Sequence, residues 1–486
     1  MCKTIIEQLA SFTANSCFDR LPENVVQESK RIVLDSIGCA VAATEQTKGR
    51  IGIEYGRVLG GTDGSATIMG AGERVSMVGA AFANGELINA LDMDCVLPPG
   101  HVSPYVLPGA LAVGEVFAAD GRSLITAVAV AHEMSHRVGK AMDNLRDTKD
   151  GKSVPPKVFG YASSIFGATA AIGKLKNHGE VRLAHALGIA GCISPVNFQM
   201  SWYQHPPFST IKYLVGGVLA QQAMTAAYMA EFGHTGDVHI LDDSEWGYPR
   251  FIGTTKWEPH HITEGLGTDW HFPALTSYKP HAHCRIMHAS IDCVIQLVEQ
   301  HDIQPDEIDG IKVYVEGFAE QPIWLNRTIG HVNDAQFSMA HGIAMAAHRP
   351  GHGRGWMNPE LVFSRSVLGL MDKVTTEVHP DYVKLLTSHG ASRPAWVELR
   401  ARGQSFVAER RYPKGSPSPD PSTYMTNDEL STKFRQNADG VLPAANVEAI
   451  IDVVMQLEAL KDVGALMRLT GGDSSITRQR VTAQVN

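Results

Sequence analysis

Along PENVVQESKRIVLDSIGCAVAA (22–43), Val25, Ser29, Ile32, Val33 and Ile37 fall at i, i+4, i+7, i+8 and i+12. That spacing predicts a helix with one buried stripe, and Pro22 stands where a first helical turn tolerates proline. Further helical runs are predicted at 76–91, 107–119, 123–142, 160–175, 180–190 and 212–232. Stretches such as AAFANGELINALD and FGATAAIGK put Ala and Gly on the apolar faces, which permits close helix packing. After Trp270 the period changes. IDGIKVYVEG (308–317) and AWVELRARGQSFVAERRY (395–412) alternate apolar and polar positions and are rich in Val, the pattern of half-buried strands. Helix-like runs at 286–300, 334–347 and 379–389 lie between them. YPKGSPSPDPSTYMT (412–426) carries four prolines and predicts an extended tether rather than a folded element. NVEAIIDVVMQLEALKDVGALMRL (446–469) then returns to helical periodicity.

The expected fold is therefore mainly α. Residues 1–270 form a large all-α domain, 271–404 a smaller α+β domain, and 405–486 a tether with helices returning to the first domain, so that the α+β piece is an insertion. The chain's 486 residues exceed the ~250–300 at which a single core stops growing. With 42 Lys+Arg against 51 Asp+Glu the net charge is −9 and no basic run stands out, which argues against a nucleic-acid partner. An anionic ligand would need positive charge gathered locally. The seven cysteines include no C-x-x-C pair and read as reduced thiols. No secretory signal and no apolar run approaching ~20 residues is visible, so a cytoplasmic protein without membrane contact is expected.

Three stretches carry candidate chemistry. In INALDMDCVLPPGHVSPYVLPGAL (88–111) a helix end, a rigid loop and a new helix bring Asp92, Asp94 and His101 toward a helix N-terminus, with Ser103 as the expected N-cap. The plainer alternative is that the aspartates cap or pair and His101 satisfies a turn. In VNFQMSWYQHPPFSTIKYLVGGVLAQQ (196–222) Lys212 opens an apolar helix at its positive end, where only a bound anion or snorkelling explains it. In SYKPHAHCRIMHAS (277–290), zinc would use His281, His283, Cys284 and His288, but no second ligand pair follows. A Cys284 nucleophile lacks a protease-like context. The remaining reading is a cationic loop in which Lys279 and Arg285 hold carboxylates. HRPGHGRG (348–355) and EPHH (258–261) read as solvated loops.

Taken together the chain resembles the MmgE/PrpD family almost end to end. The resemblance rests on ESKRIVLDSIGCAVA, NALDMD with HVSPYVLPGALA, the Lys212 helix ending in AEFGHTG, YKPHAHCRIMHASID, DAQFSMAHGIAMA and YPKG…NDELSTKF, in that order. It implies a helical domain with an inserted α+β lid, a homodimer, and work on di- or tricarboxylates without metal or organic cofactor. Carried over, the catalytic positions are Asp92, His101, Lys212 and Lys279, with Asp92 orienting His101. Ser103, His283, Cys284 and Arg285 line the substrate. The reaction implied first is a 2-methylcitrate dehydratase-like elimination. The alternatives are epimerisation of a dicarboxylate such as iminodisuccinate, or a cis-aconitate decarboxylase-like reaction. This chain departs from the pattern at two places: the 95–100 loop is one residue shorter and lacks extra acid and histidine residues, and Val154 stands at a family histidine position. Cys284 falls where many members have cysteine and the decarboxylases have a catalytic histidine.

Overall fold

Helix Glu23–Ala42 runs through the middle of the helical part, and Val25, Ser29, Ile32, Val33 and Ile37 are all fully buried, as their spacing predicts. In this computed structural model, which describes residues 3–61, 64–144, 146–196, 199–207, 209–213 and 215–471, the other side of that helix is buried as well. Lys30, Arg31 and Asp35 are tolerated there because each meets a partner from the C-terminal part of the chain: the carbonyls of Met455 and Met425 and the Lys433 ammonium. The end of the predicted C-terminal part, 472–486, lies outside the described residues.

Around this helix stand Met77–Asn89, Ser103–Val116, Gly121–Lys140, Ser164–Leu175, Glu180–Cys192 and Gly216–Glu231. Two boundaries differ from expectation in ways that bear on the site. The helix expected from 107 already begins at Ser103, with Val102 rather than Ser103 at the cap. The helix expected to open at Lys212 opens at Gly216, and Lys212 lies in a turn before it with φ +60. Helix Thr47–Gly60 was not predicted, because Ile51, Tyr55 and Val58 face solvent while Gly49, Gly52 and Gly56 face the core. Packing through glycine leaves no hydrophobic period to read. Gly85 and Gly216 make a similar close approach: a Cβ on either would come within 3.0 Å of the other's backbone. Their helices therefore nearly touch, and the Asn89 end of one is drawn toward the Lys212 turn of the other.

The later part of the chain builds one four-stranded sheet in the order Gln404–Arg410, Ala395–Ala401, Ile308–Val315, Val374–Val378. The long alternating stretch 395–412 is a hairpin, turned at Arg402 and Gly403, both at positive φ. Val374–Val378 runs parallel to Ile308–Val315 and was not predicted; KVTTEV is short, and its polar residues lie at a sheet edge. Helices His288–Gln300 and Met339–Ala347 pack on this sheet. Among the described residues, no helix is long and apolar enough to cross a membrane.

The proline-rich stretch 412–426 is extended but not free. Ser416 and Thr423 are buried, the Gly415 carbonyl accepts from Tyr278 N, and Arg285 donates to the Lys414 carbonyl and Ser416 Oγ. It therefore packs along the segment that carries Lys279. The 348–355 loop is likewise packed at Gly353, whose N–H reaches the Pro280 carbonyl at 3.3 Å. Helix Asn427–Ala438 follows, opened by a reciprocal capping box between Thr426 and Glu429. Thr426→Ala is expected to lower stability by about 1 kcal/mol, read as a lower urea midpoint at unchanged m; an unchanged midpoint would refute the cap's contribution.

Candidate active site

The site grows from the end of helix Met77–Asn89. Asp92 N bonds back to the Asn89 carbonyl, and Asp92 takes φ +53, a left-handed turn that aspartate tolerates better than most residues. Four residues on, Val96–Leu97 pairs with Gly100–His101 across the Pro98-Pro99 turn. Gly100 is required there: at φ +154 its Cα faces Tyr161 so closely that a Cβ would lie 2.2 Å from the ring. The outer edge of this hairpin pairs with Ser277 through two N–H···O bonds of 2.8 Å. That bridge places Lys279 beside His101 across 178 residues of sequence.

Asp92 is the centre of the arrangement. Lys279 Nζ lies 3.0 Å from its Oδ2 and 2.9 Å from its carbonyl oxygen. Lys212 Nζ lies 3.9 Å and His101 Nε2 3.5 Å from its Oδ1, which makes no hydrogen bond among the described residues. Lys212 Nζ itself donates to the Asn89 carbonyl at 2.6 Å. Asp92, Lys212 and Lys279 are all 0% exposed. His101 faces the other aspartate: its Nδ1 is 2.6 Å from Asp94 Oδ2, while Asp94 Oδ1 accepts from Asn89 Nδ2. The role assigned from sequence to Asp92, orienting His101, therefore belongs geometrically to Asp94, and Asp92 bridges the lysines. Both aspartates stand two residues apart in LDMD, and spacing alone does not say which one turns toward the imidazole.

Burial works to raise the Asp92 carboxyl, but Lys279, Lys212 and His101 outweigh it and hold it well below the usual carboxylate range. Asp94 is lowered by the same competition, with His101 its main opponent to burial. Lys212 is dominated by burial, which Asp92 only partly offsets, and is brought down to about 7. Its left-handed backbone is uncommon for a long side chain, and such strain concentrates at functional positions. Tyr213, next in sequence, lays its ring on His101 at 4.5 Å between centroids, and Tyr161 packs against Tyr213 at 5.3 Å. Burial raises the Tyr213 phenol well above its ordinary value, so it stays neutral. This aromatic wall was missed in the sequence; the adjacent Lys212-Tyr213 pair was its one signal.

The residues expected to line the substrate are placed less uniformly. Cys284 lies near the centre: burial lifts its thiol to about 11 and the Asp92 charge adds to that, which keeps it protonated. His283 is fully buried against Trp356 and is pushed down to about 3 by burial and by His341 and His281. Ser103 Oγ is engaged by Cys95 Sγ at 3.2 Å and His132 Nε2 at 3.1 Å, inside the helix rather than at its cap. Arg285 is committed to the 413–416 tether. His281 pairs with Asp292, and His288 with the His283 carbonyl, so the 277–290 stretch does not gather ligand atoms for zinc. Among the described residues the group close enough to hold a metal is His260, His261 and Glu264, in a largely exposed segment. Gln336, from DAQFSMAHG, donates to the Ala90 carbonyl and accepts from Cys284 N through its own carbonyl, tying that motif to the site.

Chemically, a buried cluster of two lysines and a carboxylate-held imidazole suits stabilisation of negative charge beside a proton carrier. Comparisons with known proteins identify the family. Residues 7–260 match the family model described as the MmgE/PrpD N-terminal domain, and residues 281–459 match the MmgE/PrpD C-terminal domain. Cis-aconitate decarboxylase of Aspergillus terreus is 23% identical over an alignment covering 96% of this chain and 95% of that protein. Cis-aconitate decarboxylase of Homo sapiens is 25% identical, with 98% and 96% covered. A cis-aconitate decarboxylase-like protein of Aspergillus oryzae is 24% identical, with 93% and 94% covered.

Proposed function

This chain belongs to the MmgE/PrpD family, and on that footing we propose that it is a cofactor-free lyase that forms and protonates a carbanion beside a carboxylate of a di- or tricarboxylate. One observation carries the reading: Lys212, Lys279 and His101 converge on Asp92 in a site from which solvent is excluded. A carbanion next to a carboxylate places its charge on the carboxylate oxygens. Fixed ammonium groups in a dry site stabilise that charge without reorganising. His101, held at Nδ1 by Asp94, presents Nε2 as the atom that moves the proton.

The finer reading is a carboxy-lyase of the cis-aconitate type, because the similar curated proteins bear that name; it ranks above the elimination that the motifs suggested first. In that reaction the bond to a carboxyl carbon breaks, carbon dioxide leaves, and the electron pair spreads into the remaining unsaturated carboxylate. One proton, delivered from His101, completes the product. Cys284 supports a second reading. A neutral thiol stands where the decarboxylases resembled by the sequence carry histidine, so elimination of water or epimerisation, each starting with proton removal, stays in play. A panel of di- and tricarboxylates incubated in D₂O separates them: carbon dioxide release supports the first, new alkene absorbance or lost chirality the second. Absence of all three, with no deuterium uptake, would end the proposal.

A pH dependence follows from Lys212. With its ammonium brought down to about 7 in the free protein, the cation that receives an anionic substrate is lost as pH rises through that value. kcat/KM is therefore expected to fall on the alkaline side of about 7. Substrate binding at pH 8 should take up close to ~1 proton, as the bound anion restores the charge. Calorimetry in buffers of different ionisation enthalpy reads that uptake. Buffer-independent heats, or kcat/KM rising through this range, would contradict it.

A further inference from the structure

Asp94 orients His101, yet residues 93–95 belong to no helix or strand that would fix Asp94 in turn. The bonds that hold this stretch come from elsewhere. Asp35, on helix Glu23–Ala42, accepts from Cys95 N through Oδ2 at 2.9 Å. Its other oxygen, Oδ1, lies 2.6 Å from Lys433 Nζ, and that ammonium also donates to the Met93 carbonyl at 2.8 Å. The two peptide groups flanking Asp94 are thus gripped by one ion pair whose members are 398 residues apart. Both side chains are buried, and Gly38 lets their helices meet: a Cβ there would stand 2.9 Å from Phe434. Burying two charges is expensive, and an apolar pair of like volume would be as stable or more so. What an apolar pair cannot supply is directed bonds to a carbonyl on one side of Asp94 and an N–H on the other. A parallel arrangement stands behind Lys212, where buried Lys48 donates to the Ile211 carbonyl and its partner Glu86 accepts from Gly217 N.

We propose that Asp35 and Lys433 are positioning residues of the active site, a buried ion pair that clamps the Met93 carbonyl and the Cys95 amide and so aims Asp94 at His101. The proposal rests on the reading of Asp94 and His101 given above. Helix Asn427–Ala438 thereby serves the catalytic apparatus without touching substrate.

The test compares two variants of the full chain. Asp35→Asn/Lys433→Met removes both charges together, which avoids an unpaired buried charge and favours folding, and it deletes the bond to Met93. Asp35→Asn alone is the conservative variant. Its amide oxygen still serves Cys95 N, and Lys433 still donates to the Met93 carbonyl. The double variant is expected to lose at least ~10-fold in kcat with KM within ~2-fold, since small misplacements of catalytic groups cost this much or more. Backbone amides over 92–97 should exchange with deuterium at least ~10-fold faster. Asp35→Asn should keep kcat within ~3-fold of wild type and retain slow exchange. A folded double variant with wild-type kcat overturns the proposal, and so does an equal loss in both variants accompanied by rising KM or a collapsed melting transition. The exchange measurement needs no substrate. A failed site assignment, seen as wild-type turnover in His101→Asn, is thereby told apart from a failed clamp, seen as unchanged exchange over 92–97.

Discussion

His101→Asn abolishes deuterium incorporation into substrate while leaving the protein folded: this is the largest effect the site geometry leads us to expect. The imidazole is fixed on three sides, by Asp94 at Nδ1, by the Tyr213 ring on its face, and by Lys279 Nζ at 3.4 Å from Nε2. Asparagine preserves a polar side chain in the loop but carries no titratable proton, and loss of a general acid–base costs ~10²–10⁴-fold. Asp94→Asn should leave residual exchange, because the imidazole survives in a less favourable tautomer. Asp92→Asn acts differently, by loosening the two lysines. If His101 only satisfied a turn, His101→Asn would cost roughly 1 kcal/mol of stability and leave exchange near wild type. Melting temperature and exchange measured on the same proteins decide between the two. Wild-type exchange in His101→Asn would transfer the base to Lys212, whose amine is already near neutrality.

Lys212→Ala and Lys279→Ala should each lower turnover by at least ~100-fold, the loss expected when a fixed charge is removed from a developing anion. Their effects on stability should diverge. Lys212 stands 3.9 Å from Asp92, donates instead to the Asn89 carbonyl, and is disfavoured as a cation by burial, so its removal should cost less stability than the loss of Lys279. Lys279 makes the tight contact with Asp92 at 3.0 Å, and its removal leaves a buried carboxylate short of a partner. That variant should lose up to ~3 kcal/mol. Undiminished activity in either variant would remove that lysine from the mechanism; equal melting temperatures would contradict the distinction between them.

The helical stripe of residues 22–43 was legible because its spacing depends only on neighbours along the chain, and every position in it is buried as expected. The same locality made Asp92, His101 and Lys279 recognisable in their motifs. What the sequence could not express is the outcome of contacts between distant segments. Lys30, Arg31 and Asp35 look like a solvated face until residues from 425 onward arrive to pair with them. Thr47–Gly60 hides its helix because three glycines make most of its core contacts, with Ile53 alone among its apolar side chains buried beside them. The turn that sets Lys212 at φ +60 is chosen by the near-touching of two helices at Gly85 and Gly216, and by the Asn89 carbonyl that receives the ammonium. The division of labour between Asp92 and Asp94 arises in the same way, when the Val96–Ser277 bridge brings Lys279 to one carboxylate and leaves His101 for the other. By itself the sequence determined which residue types are present and the local period of their elements. Only the tertiary structure decided which charge meets which, because a buried charge is stable only against a partner that the fold must bring to it.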